Sequence, residues 1–117
     1  MLLEDRIVTF AAQCVKTCAM IPVKLVGSAN FADQMFRSAT SVAANYAEAC
    51  EAESSKDFVH KLKIAMKELS ETRVWLKLIG ESGYIENAKL SDLIAESKEL
   101  SRILSASVAT TKKKIGG

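Results

Sequence analysis

One histidine, three cysteines and scattered carboxylates are what this chain offers to metal or acid–base chemistry. His60 stands three residues after Asp57, a spacing that places both on one side of a helix. A diiron bundle needs Glu-x-x-His on two helices and further Glu on the others, which a single histidine cannot supply. Cys14 and Cys18 are four residues apart, yet a structural zinc site takes four ligands and nothing joins these two. Cys50 stands alone. Each cysteine has apolar neighbours and reads as a small buried hydrophobe. Glu48, Glu51, Glu68 and Glu71 are spaced as well for solvated charges or interhelical ion pairs as for an acid–base pair. There is no Gly-rich phosphate loop, Cys-x-x-Cys pair, Ser–His–acid order or His-Glu-x-x-His run. The residues point to a protein that is not an enzyme and folds without metal or cofactor.

The basic residues carry more information. Lys56, His60, Lys61, Lys63 and Lys67 crowd into a short span whose one acid is Asp57. At helical spacing Lys56, His60, Lys63 and Lys67 fall away from the apolar stripe around Phe58. Such a ridge fits phosphate contacts, which need only well-placed cations. It fits a solvated helix face equally well, and no aromatic platform alternates with the lysines.

Four helical segments must position these groups. Leu3, Ile7, Phe10, Cys14, Cys18 and Ile21 recur at steps of three and four, and Pro22 then stops the run. Ser28 or Asn30 is placed to cap a second helix over Phe31–Cys50, with Ala32, Met35, Phe36, Ala39, Val42, Ala43, Tyr46 and Cys50 on its apolar face. A third, from Ser55 or Lys56 to Ile79 behind a Ser54 cap, carries Phe58, Leu62, Ala65, Leu69, Thr72, Leu76 and Ile79; Gly80 and Gly83 follow. A fourth runs from Leu90 to Thr111, or starts a turn later with Ser91 as its cap. The expectation is an all-α, up-down-up-down antiparallel four-helix bundle. One domain covers 1–117, closed by a frayed basic and glycine tail from about residue 112.

Length and composition agree. The 117 residues are 49% hydrophobic and 26% charged, with a net charge of +2 from 16 basic and 14 acidic side chains. That is the balance of a globular domain without a general pull toward polyanions. Acids near the start replace the basic region of a signal peptide, and no apolar run approaches the roughly 18 residues of a membrane span. The odd cysteine count fits a reducing compartment, so a cytoplasmic protein without membrane attachment is expected.

A bundle helix needs one apolar face, and two helices here carry more. Ile64, Val74, Trp75 and Leu78 lie well away from the Phe58–Leu69 stripe, while Val8, Ala12, Val15 and Ala19 broaden the first helix. Either Trp75 covers a rim of its own bundle, or these residues meet another subunit. Helix two adds a polar row of Arg37, Ser41, Asn45 and Glu48. The row reads as a surface for a partner or as a fold-specifying network reaching a neighbouring helix; a Glu48–Arg73 pairing is one such arrangement.

The stretch from Gln34 to Ala49, containing that polar row, resembles the bacterial four-helix-bundle family of proteins encoded in 23S ribosomal RNA intervening sequences. Phe58, Leu62 to Ala65, Lys67-Glu68-Leu69 and Glu71-Thr72-Arg73-Val74-Trp75-Leu76 resemble its third-helix pattern, and Ile21-Pro22 and Gly80 fall into place. Ala49-Cys50-Glu51 departs from it, because many relatives have a Gly-containing helix end there. The family is similar to an accessory protein of diversity-generating retroelements, a barrel-like homopentamer that binds reverse transcriptase and nucleic acid. The resemblance therefore implies the bundle, a homopentamer and, more distantly, nucleic-acid binding. Two functions stay open: a self-associating structural or adaptor module for an unidentified protein partner, or an RNA- or DNA-binding accessory protein using lysine ridges.

Overall fold

Each helix begins and ends for a local reason. In the computed structural model, which describes residues 2–116, these are α1 (Leu3–Met20), α2 (Ser28–Cys50), α3 (Ser55–Glu81) and α4 (Asn87–Gly116). Glu4 and Asp5 sit in the first turn of α1, where the helix dipole favours negative charge. Ile21, ahead of Pro22, is already extended and ends it. Ser54 caps α3 by accepting the Asp57 amide at 3.0 Å.

Two helix starts and two ends differ from expectation. α2 begins at Ser28 rather than Phe31, because Gly27 turns left-handed (φ 76°) and its carbonyl accepts the Phe31 amide at 2.9 Å. Neither Ser28 nor Asn30 caps it; Ser28 instead donates to the Val23 carbonyl at 3.0 Å. α4 starts at Asn87, and Ser91 lies inside it, donating back to Ala88 at 3.2 Å. Gly80 lies within α3, and the true stop is Gly83, again left-handed. There the Tyr84 amide donates to Ile79 (3.0 Å) and the Gly83 amide to Gly80 (3.1 Å), a Schellman closure. At its far end α4 continues through Lys112–Lys114 to Gly116, past the expected stop at Thr111.

The four helices form an up-down-up-down antiparallel bundle, 54 × 23 × 21 Å, with no strand among the described residues. Neighbours in sequence pack side by side, and α4 returns to α1 over the shortest seam. A two-pronged ion pair holds that seam, with the Arg6 guanidinium donating to both Glu96 oxygens at 2.7 Å. Phe10, Met35, Leu62, Leu69, Leu76, Leu100 and Leu104 fill the centre with essentially no exposure. Two expected core residues lie outside: Phe36 is 51% exposed and Cys50 is exposed. Phe36 sits about 100° beyond buried Met35, which carries it around to the outside of the α1–α2 seam.

Candidate functional site

The polar row of α2 lies against α3. Arg37 reaches across to two carboxylates one turn apart, with one guanidinium nitrogen 3.2 Å from Glu68 and the other on Glu71. The same Glu71 oxygen accepts the indole N–H of Trp75 at 3.1 Å. That hydrogen bond, followed by the one from Arg37, holds the Glu71 carboxyl below its ordinary pKa. Asn45 stays on its own helix, donating to the Ser41 carbonyl and hydroxyl at 2.9 and 3.0 Å. Glu48 pairs with Lys61 at 3.4 Å, not with Arg73. Arg73 faces α4, with a guanidinium nitrogen 3.4 Å from the hydroxyls of Ser70 and Ser101.

Trp75 is half-buried, edge-on to Phe31 of α2 with ring centroids 5.5 Å apart. Phe31 in turn meets Tyr84 edge-on at 5.2 Å, and the Tyr84 hydroxyl donates to the Val26 carbonyl. The indole thus closes the end of its own bundle. The outward exposure on α3 belongs to Val74 (53%) and Leu78 (42%), with Ile64 half-buried.

At about 100° per residue, Lys56, His60 and Lys67 fall on the same outer face of α3 as Val74 and Leu78. That face is therefore basic near the helix start and apolar near its end. Lys56, His60, Lys63 and Lys67 are all exposed. The antiparallel return of α4 sets Lys112 beside Lys63, and the contact between the two amines lowers the pKa of Lys63. Lys112 falls outside the ridge legible in the sequence because its segment has the composition of a frayed tail; its phase on α4, matching that of Ser101, is the signal that places it.

A second apolar surface lies along the outside of the α1–α2 seam. Val8, Val15 and Ala19 occupy the flank of α1 from which Cys18 reaches the Ala32 carbonyl at 3.4 Å. Phe36, Ala43 and Ala47 occupy the facing flank of α2. Val8 and Phe36 are each 51% exposed.

Of the thiols, only Cys14 is fully buried; burial pushes its pKa up to about 12. Cys18 is partly covered, and its pKa is also raised, chiefly by burial. No group of three or more His, Cys, Asp or Glu is disposed to hold a metal ion among the described residues. No helix among them is long and apolar enough to cross a membrane.

The family model for the 23S rRNA-intervening sequence protein aligns with residues 5–106, most of the chain. The chain belongs to that family. A protein of unknown function from the S23 ribosomal protein family of Bacteroides thetaiotaomicron VPI-5482 has a solved structure similar to this one. The two share 31% identity and a TM-score of 0.82, over 92% of this chain and 98% of that one. No curated protein matches. The family therefore accounts for the bundle and leaves the biochemical role to be argued from surfaces.

Proposed function

We propose that this protein is a non-enzymatic, self-associating helical bundle, a cytoplasmic structural or adaptor module whose working form is a ring of identical subunits. One observation carries the reading. Two unlike apolar surfaces, Val74 and Leu78 on α3 and the Val8–Phe36 flank of the α1–α2 seam, lie on different sides of the bundle. Apolar patches of this kind on a small soluble protein favour burial against a partner. A protruding pair facing a flank lined with alanines supports a head-to-tail contact, which closes into a ring when the rotation allows. Five is the count that the family resemblance implies. Ile64 and the edge of Trp75 would border the contact.

Multi-angle light scattering at micromolar concentration tests it. The expected mass is several subunits, reduced by Leu78→Glu with helix content unchanged, because the new carboxylate would lose its water in the contact. A one-subunit mass for the unmodified protein overturns the proposal.

A second reading, nucleic-acid binding, is favoured by the convergence of Lys63 and Lys112 from different helices. Like charges held together on a surface are relieved by a shared anion, and phosphate is the common one that supplies a continuous line of charge. Binding of a single-stranded RNA at low salt that is lost in Lys63→Glu/Lys67→Glu is its expected behaviour. Absence of binding at low salt removes it.

A further inference from the structure

The outer shoulder between α3 and α4 differs in its charge from the α1–α4 and α2–α3 seams. The α1–α4 seam pairs Arg6 with Glu96, and the α2–α3 seam pairs Arg37 with Glu68 and Glu71 and Lys61 with Glu48. On α3, Lys63, Lys67, Ser70, Arg73 and Lys77 share an arc of about 120° turned toward α4. On α4, Lys98, Ser101, Ser105 and Lys112 share one of about 60° turned toward α3. Two contacts fix which flanks meet: Arg73 with Ser101 at 3.4 Å, and Lys63 with Lys112. No carboxylate occurs on either arc over these spans. Lys63, Lys67, Lys77, Lys98 and Lys112 are exposed and form no ion pair among the described residues. Arg73 is held only by two hydroxyls, both at distances long for hydrogen bonds. Beside the α3 lysines lies an open hollow of about 440 Å³, lined by Lys63, Met66, Lys67 and Ser70.

We propose that this shoulder is a track for the phosphodiester backbone of a nucleic-acid strand. The proposal rests on the second reading above and extends it to Arg73, Lys77 and Lys98, which lie outside the lysine ridge legible in the sequence. From Lys63 to Lys77 the track is about 21 Å long at 1.5 Å per residue. One strand of a duplex carries a phosphate every 3.4 Å or so, and about six phosphates would span that length. The cations of the two helices are enough to face them one for one. Ser70, Ser101 and Ser105 add neutral donors of the kind that position a backbone without reading its bases. Recognition is therefore indifferent to sequence and falls steeply with salt.

The test measures binding of a fluorescent 20-nucleotide single-stranded RNA by anisotropy across a salt series, using the full chain. Lys77→Glu/Lys98→Glu, two exposed positions outside the original ridge, should weaken binding at least tenfold. It should also lower the slope of log affinity against log salt by about 1.4, or 0.7 for each contact to a single strand. Lys77→Gln/Lys98→Gln should act in the same direction with a smaller loss. Lys16→Glu/Lys24→Glu, which changes the net charge equally on the other side of the molecule, should leave affinity within about twofold. Equal losses from the two charge-reversal pairs would mean that net charge alone acts, and overturn the track. Binding lost in Lys63→Glu/Lys67→Glu but unchanged in Lys77→Glu/Lys98→Glu would overturn the track while sparing the second reading. No binding by the unmodified protein would end both.

Discussion

Trp75 donates its indole N–H to Glu71, one turn earlier on α3, at 3.1 Å, and thereby ties the single tryptophan to the Arg37 bridge from α2. The carboxylate accepts from both neighbours at one oxygen. Its position decides the orientation of the ring that seals the bundle end against Phe31.

Acid should release this clamp. The folded-state pKa of Glu71 lies below its ordinary 4.5. Its contribution to stability is therefore fully present above that value and is lost as pH falls through the lowered one. Tryptophan fluorescence titrated downward from pH 7 should stay flat to about pH 4.5 and change below it. Glu71→Gln should remove that transition; one centred near neutrality would contradict the assignment.

The buried hydroxyls of Ser38 and Thr72, 2.9 Å apart across the α2–α3 contact, need each other less than they need a backbone partner. Each also lies within reach of a carbonyl on its own helix, Met35 at 3.3 Å and Glu68 at 2.8 Å. Thr72→Val should thus cost only about 1 kcal/mol, because Ser38 keeps its carbonyl. Leu69→Ala beside it should cost about 2–5 kcal/mol by leaving a cavity in the core. Urea unfolding of both variants checks the ratio.

Gly83 holds the Schellman turn at φ 76°, with nothing within 4 Å of where a Cβ would stand. Gly83→Ala should therefore destabilise by about 1 kcal/mol through backbone strain alone, without a clash. Thermal unfolding should show a lower midpoint with the same helix content before the transition.

Head-to-tail assembly makes a prediction that two-fold pairing does not. Leu78→Glu disables one face and Phe36→Glu the other. Mixed in equal amounts, the two variants retain one intact pair of faces and should form a 1:1 heterodimer, seen as a new species by native mass spectrometry. Two variants that remain separate while each still oligomerises alone would refute unlike faces.

The thiols should react in the order of their exposure. Cys50 should label fastest with a disulfide reagent at pH 8, Cys18 more slowly, and Cys14 only on unfolding, since its thiol pKa is pushed up to about 12. Early modification of Cys14 would mean that the α1 core opens.

The bundle was legible because helical period, caps and breakers act locally. Apolar steps of three and four, Ser54 ahead of Asp57, and Pro22 behind Ile21 each depend on residues within one or two turns. Even there, Gly27 and Gly83 moved the ends by a few residues, since a left-handed glycine lets a carbonyl close the next turn without a side-chain cap. The surfaces were not legible in the same way. That Glu48 meets Lys61, that Arg73 meets Ser101 and that Lys63 meets Lys112 depend on the relative height of antiparallel helices, which no local spacing encodes. A shift of one turn would exchange these partners while leaving every hydrophobic stripe intact. Phe36 and Trp75 illustrate the same division. Phe36 belongs to the expected apolar face and Trp75 lies well off one, yet packing of α2 against α3 draws the indole over Phe31, while the outer edge of the α1–α2 seam leaves Phe36 about half exposed. Sequence alone determined four amphipathic helices and their order; tertiary packing decided which charges converge and which apolar residues remain for a partner, because both depend on how helices register against one another.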